Sequence, residues 1–175
     1  MTRRDAGGER LLERLGREGW LRPGFAEDAE HGLDEGRPDA ALLKICDAGG
    51  LEGGLSVALD VRPDELVGAL CAAIGGSARS LRVVDVRERP AFTLVIAFRG
   101  VEERWEVEDG RGLAHNLNDL LRDDRSARAV AVLGDWEDGL QLWCVPKARL
   151  AELREAPYFR PENARTLVEL SASGR

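Results

Sequence analysis

The stretch ARAVAVLGDWEDGLQLWCVP at residues 127–146 constrains the fold more than any other part of the chain. It reads as two strands, 127–133 and 140–145, around a hairpin whose turn dipeptide is Asp138-Gly139. Successive strand residues point to opposite faces of a sheet. Leu140, Leu142 and Cys144 therefore oppose Gln141, Trp143 and Val145, while Val130 and Val132 oppose Ala129, Ala131 and Leu133. Both faces are apolar, so both have to be covered. One layer of helices covers one face. The second falls to residues 5–50, to another copy of the chain, or to a client protein.

The other elements are marked by their punctuation. GLSVALDV at 54–61 is a short strand. Pro63, with Asp64 and Glu65 behind it, opens a helix through Leu66, Leu70, Ala73 and Ile74, which Gly75 and Gly76 close. Strands follow at 81–89, 91–98 and 101–107. The last sets Val101, Glu103, Trp105 and Val107 against Glu102, Arg104, Glu106 and Glu108, the pattern of an edge strand with one solvated face. Asp109 caps a helix with the apolar stripe Leu113, Leu117, Leu120 and Leu121, leaving His115, Asn116 and Asp119 on the polar side. A final helix runs from about Pro146 to Ala156 and a tail ends the chain. The order helix, three strands, helix, two strands, helix over residues 63–157 resembles the class I type III secretion chaperones and the YbjN-type sensory regulators. That resemblance implies a protein-binding, commonly dimeric domain.

The first third repeats itself. Leu12, Leu15, Gly19 and Leu21 recur as Leu42, Ile45, Gly49 and Leu51. Each set is one apolar helix turn, a C-cap glycine and an apolar residue that folds back. Between them Pro23 opens a helix bearing Phe25, Ala29 and Leu33, and GGLEGG at 49–54 reads as a hinge. Residues 10–52 resemble the N-terminal domain of MshE-type secretion ATPases, whose paired motifs bind cyclic di-GMP. Arg10, Leu15, Gly19 and Leu21 keep the pattern. Leu12 and Leu42 stand in place of its glycines and Ala40 in place of its second arginine.

Composition removes several classes of function. With 43% hydrophobic and 33% charged residues the chain folds rather than staying disordered. A net charge of -7 with scattered cations argues against nucleic acid. The N-terminus MTRRDAGGER lacks a signal-peptide core and the longest apolar run, Ala91 to Phe98, is too short for membrane insertion, so a cytoplasmic location is expected. Lys44 and Lys147 are the only lysines among 25 basic residues, a skew typical of GC-rich bacterial genomes. Cys46, Cys71 and Cys144 share no C-x-x-C spacing and read as reduced and buried.

Chemistry is equally sparse. Asp135, Glu137 and Asp138 lack the twelve-position spread of a calcium loop. His115 and Cys144 have no nucleophile signature around them, and His31 lies among acids. No lysine follows a phosphate-loop glycine pattern. Glu102, Glu103, Glu106 and Glu108 read as a solvated edge rather than an acid–base pair.

The expectation is an α+β protein: an antiparallel sheet of about five strands packed by helices at 53–157, a helical unit at 1–52, and a tail at 158–175. Its expected role is a non-enzymatic, cofactor-free adaptor or chaperone-like protein that binds a protein client or itself as a homodimer. The expected contact residues are Trp136, Trp143, Val145 and Trp105. The alternative is a regulatory module binding a cyclic dinucleotide through the N-terminal repeat.

Overall fold

The computed structural model describes residues 10–25, 33 and 36–154. Ala29, His31 and the tail from 158 lie outside them. Elements run in the order α1 (Leu11–Arg17), α2 (Pro38–Asp47), β1 (Gly54–Ala58), α3 (Pro63–Ile74), β2 (Arg82–Arg87), β3 (Thr93–Phe98), β4 (Val101–Glu106), α4 (Gly110–Leu120), β5 (Arg128–Trp136), β6 (Gly139–Pro146) and α5 (Leu150–Arg154). The chain is α+β, but the five-stranded sheet is replaced by two antiparallel three-stranded sheets, ordered β1-β6-β5 and β2-β3-β4. No described helix is long and apolar enough to cross a membrane.

Two features split the sheet. The first strand reaches back to pair with the last, Leu55 opposite Leu142 and Val57 opposite Leu140, so β6 becomes central. The free side of β5 is then occupied by a side chain. Asn118 of α4 donates from Nδ2 to the Val130 carbonyl at 2.9 Å and accepts from the Val130 N–H at 2.8 Å, as a neighbouring strand would. An edge engaged in this way does not recruit another strand.

The two apolar faces of the β5–β6 hairpin lie in two separate cores, an upper one against α3 and α4 and a lower one against α1, α2 and α5. Val130, Leu140, Leu142 and Cys144 face α3, α4 and the inner side of the second sheet, where Leu94, Ile96, Phe98 and Trp105 meet them. Ala129, Ala131, Leu133, Trp143 and Val145 face α1, α2 and α5. Of the three candidates for covering the second face, the chain's own N-terminal helices are the ones that do so. Ala131 lies opposite Trp143 in the ladder, and this small residue leaves room for the indole.

The repeat explains how short helices make that cover. Each half ends in the same paired C-cap: Trp20 N–H to Leu15 O at 2.8 Å with Gly19 N–H to Gly16 O at 3.0 Å, and Gly50 N–H to Ile45 O at 2.8 Å with Gly49 N–H to Cys46 O at 2.9 Å. Gly19 and Gly49 take φ of 73° and 75°, where a Cβ would be strained. The halves then join, Leu21 bridging Leu51, with Arg22 N–H on Gly50 O and Glu52 N–H on Trp20 O, both 2.8 Å. Gly53, read in the sequence as part of a hinge, is instead pressed against β6, where the Cys144 N–H donates to its carbonyl at 2.8 Å. Pro23 to Phe25 form a turn rather than a helix start, and Phe25 packs under this unit.

A polar node at the far end of α4 ties the upper core. The Lys147 ammonium donates to the carbonyls of Leu121, Arg122 and Asp124, a three-donor cap that a planar guanidinium would not reproduce. The Asp124 carboxylate accepts from the N–H and hydroxyl of both Ser126 and Ser77, and these bonds hold it well below the usual carboxylate range. A depressed folded-state pKa adds stability that is present above the unfolded value of about 4 and is lost as pH falls. The stability difference between the protein and Asp124→Asn is therefore expected to be largest above pH ~5 and to shrink toward pH ~2, as read from urea midpoints across that range. A difference that stays constant with pH would remove the node from the acid response.

Candidate functional site

The four residues expected to contact a partner separate in the structure. Trp143 and Val145 are wholly buried in the lower core. The Trp143 indole meets Trp20 edge-on at 5.0 Å and donates from Nε1 to the Glu52 carbonyl at 2.8 Å. Trp105 is 8% exposed in the upper core, with its Nε1 on Glu103 Oε2 at 3.0 Å. Trp136 alone keeps one side open, half-buried at the tip of the β5–β6 hairpin. For Trp143 and Val145 this follows from the covered second face: they are presented to the chain's own helices.

Trp136 borders a cleft of about 220 Å³ at the end of the lower core. Its other walls come from Asp47 at the end of α2, Ser56, Val57 and Ala58 of β1, and Glu137, Asp138 and Gly139 of the hairpin. The turn residues are Glu137 and Asp138, because Gly139 is already paired with Trp136 in the ladder. This shifts the turn by one residue from the Asp138-Gly139 reading, and Glu137 carries a φ of 50°. Gly139 belongs to β6, where a Cβ would sit 3.0 Å from Gln141 Nε2 and 3.1 Å from Ser56 Oγ.

Asp47 and Ser56 line the cleft, and the buried Gln141 is bonded to both of them. Ser56 donates from Oγ to Asp47 Oδ1 at 2.7 Å. Gln141, directly opposite Ser56 in the ladder, donates from Nε2 to Ser56 Oγ at 2.9 Å and to Asp47 Oδ1 at 3.2 Å. Gln141 is fully buried, and its Oε1 accepts no hydrogen bond among the described residues. Asp47, Glu137 and Asp138 make no ion pair among the described residues, whereas the neighbouring Asp135 is neutralised by Arg111 at 2.6 Å. Asp47 also ends α2, where the helix dipole is negative and a cation is the favourable occupant. Among the described residues no three His, Cys, Asp or Glu side chains are grouped as a metal site requires.

Sequence reasoning singled out Trp136 and the acids of the turn but missed Asp47, Ser56 and Gln141. Two signals pointed to them. Gln141 is the one polar residue on an otherwise apolar strand face, and Asp47 is an acid at a helix C-terminus.

The other sequence candidates occupy different places. Cys144 is buried in the upper core and His115 is on the exposed side of α4. Burial pushes the thiols of Cys46 and Cys144 up to about 12 and that of Cys71 to about 11. Such thiols are nearly all protonated at neutral pH and are poor nucleophiles. All three are expected to react with a thiol reagent at pH ~8 only on unfolding, so a rapid stoichiometric reaction of the native protein would contradict this placement. In the N-terminal repeat, Leu42 is 2% exposed and packs in the lower core. Its backbone is therefore covered where the resembling motif has an approachable glycine. Comparison of the chain with protein-family models, curated proteins and solved structures finds no match.

Proposed function

We propose that this protein is a non-catalytic, protein-binding adaptor that engages its partner at the Trp136 cleft. One observation carries the reading: the single tryptophan not buried in a core stands beside a cleft edged by carboxylates that have no counter-charge among the described residues. A large rigid ring next to a polar rim is the composition of an interaction hot spot. At about 220 Å³ the cleft falls below the ~300–1,000 Å³ of small-molecule pockets, which favours one inserted side chain over a metabolite. The element order that resembles the secretion chaperones accords with such a role, and self-association is the form of it that light scattering reads directly.

The test is site-directed photocross-linking in the native host. A benzophenone amino acid in place of Trp136 is expected to give a discrete adduct of higher mass on illumination. The same group in place of Val84, which is 51% exposed on the second sheet, is expected to give none. Equal labelling at the two positions, or none at position 136, would remove the reading.

A further inference from the structure

We infer that two copies of this chain join through β4, antiparallel and about a two-fold axis at Glu103, so that their β2-β3-β4 sheets form one continuous sheet. This does not rest on the Trp136 cleft, which belongs to the other sheet. The four sheet edges differ in what occupies them. β5 is engaged by Asn118. At β1 the Gly54 N–H donates to Leu51 O at 3.1 Å and its carbonyl accepts from Arg22 Nη2 at 3.2 Å, while the Ala58 carbonyl accepts from Val61 N–H at 3.1 Å. β2 bulges between Val83 and Asp85, and the Asp85 carboxylate takes the Val86 N–H at 2.9 Å. Among the described residues β4 carries no such device. Arg99 and Gly100, at φ 51° and 79°, make the two-residue turn that pairs Phe98 with Val101. Residues 101, 103 and 105 therefore bond to β3, and Val107 N–H on Phe92 O at 3.0 Å continues the same phase. Glu102, Arg104 and Glu106 point their N–H and C=O groups outward, where no described residue bonds them. Such an open row is a template for another strand.

Charges commonly protect an edge from pairing, but the order of charges here complements itself. Residues opposite one another in an antiparallel pair share a face, so a two-fold axis must pass through a single residue of β4. With the axis at Glu103, Arg104 of each copy lies opposite Glu102 of the other on the outer face, giving two opposite-charge pairs. On the inner face Val101 of each copy comes beside Trp105 of the other. Val101 is 60% exposed, one of the few large apolar side chains left open to water, and this pairing covers it. An axis at Arg104 instead sets Arg104 against itself and Glu102 against Glu106, like charge on like. Axes at Glu102 or Trp105 overlap only half of the Val101–Glu106 strand. The one opposed pair in the favoured register is Glu103 with its own copy, and that carboxylate is already bonded by Trp105 Nε1 at 3.0 Å. The pairing is therefore reversible, and it uses backbone groups and side chains that the second sheet leaves exposed; of the six β4 residues only Trp105 is buried.

The experiment is analytical ultracentrifugation of the full chain over a concentration series, with charge-swapped variants. The expected result is a monomer–dimer equilibrium with no larger species. Arg104→Glu should weaken the dimer by about tenfold, because two attractive pairs become repulsive. Adding Glu102→Arg to that variant restores opposite charges in this register alone, and should return the affinity to within about threefold of the original. Glu103→Gln should tighten the dimer by removing the like pair at the axis. A second readout does not depend on charge. Opposed residues that are not hydrogen-bonded to each other have Cα atoms about 4.5 Å apart, within disulfide reach, so Glu103→Cys should give a disulfide-linked dimer on mild oxidation. Arg87→Cys, on the blunted β2 edge, should stay monomeric under the same oxidant. A monomer at every concentration, a dimer indifferent to Arg104→Glu, a double swap as weak as the single one, or equal cross-linking at positions 87 and 103 overturns the inference. So does open-ended assembly, which a closed two-fold pair does not permit. None of these outcomes bears on cross-linking at position 136, so the adaptor reading stands or falls separately.

Discussion

Gly53→Ala is expected to lower the stability of the protein by ~2–5 kcal/mol, a large share of the ~5–15 kcal/mol that holds a domain together. Gly53 adopts a φ of 78° and the Cβ of any replacement would lie 2.3 Å from the Cys144 carbonyl oxygen. The neighbour is backbone, so no rotamer change relieves the overlap. Movement would have to separate β6 from the entry to β1, where Cys144 N–H bonds Gly53 O. At ~2–4 °C per kcal/mol for a chain of this size, the melting temperature should fall by on the order of 10 °C. Gly68→Ala is the matched control. Gly68 lies mid-helix in α3, and a methyl group added there would meet nothing within 4 Å, so alanine should add ~0.5–1 kcal/mol through helix propensity alone. Opposite signs for the two substitutions are the result to look for. A neutral Gly53→Ala would mean that this segment is a hinge after all.

The contrast shows where the sequence speaks and where it stays silent. GGLEGG is a run of permissive residues, and permissiveness is all that composition reveals. Whether the glycines are there to move or to let two backbones touch depends on Cys144, far away in the chain. Local rules fared better when the decisive partner was also local. Pro63, Asp109 and the paired C-cap glycines placed α3, α4 and the repeat close to where they are found, because caps and turns are settled within a few residues. The same holds for the alternation in β5 and β6, which assigned the apolar side chains to their correct cores. Sheet membership was harder to read. Nothing near Gly54–Ala58 says that it pairs with β6, and the role of Asn118 as a surrogate strand requires knowing that α4 lies along β5. The cleft was half legible: Trp136 and the turn acids are adjacent in sequence, while Asp47 and Ser56 meet only when the end of α2 comes against β1 in the fold.

Trp143→Ala should be the most damaging truncation in the lower core, at ~3–5 kcal/mol. The side chain is wholly buried among Trp20, the α2 residues and β5, and its loss removes an edge-on aromatic pair, a hydrogen bond to Glu52 O and the filler opposite Ala131. Short helices such as α1 and α5 have little stability of their own, so they depend on this packing. Trp20 links them: the Arg149 guanidinium lies over its ring and donates to Glu18 O at 2.7 Å. Losing Trp143 should therefore loosen both helices together, visible as lost near-ultraviolet dichroism and faster proteolysis before residue 50. Trp136→Ala offers the comparison, since a half-buried ring at a hairpin tip should cost ~1 kcal/mol or less. A tryptophan that seals the core and one at the hairpin tip are thus separable in one experiment. If both truncations cost the same in urea midpoint, the lower face is not sealed by the N-terminal helices, and the burial on which the separation rests would have to be abandoned.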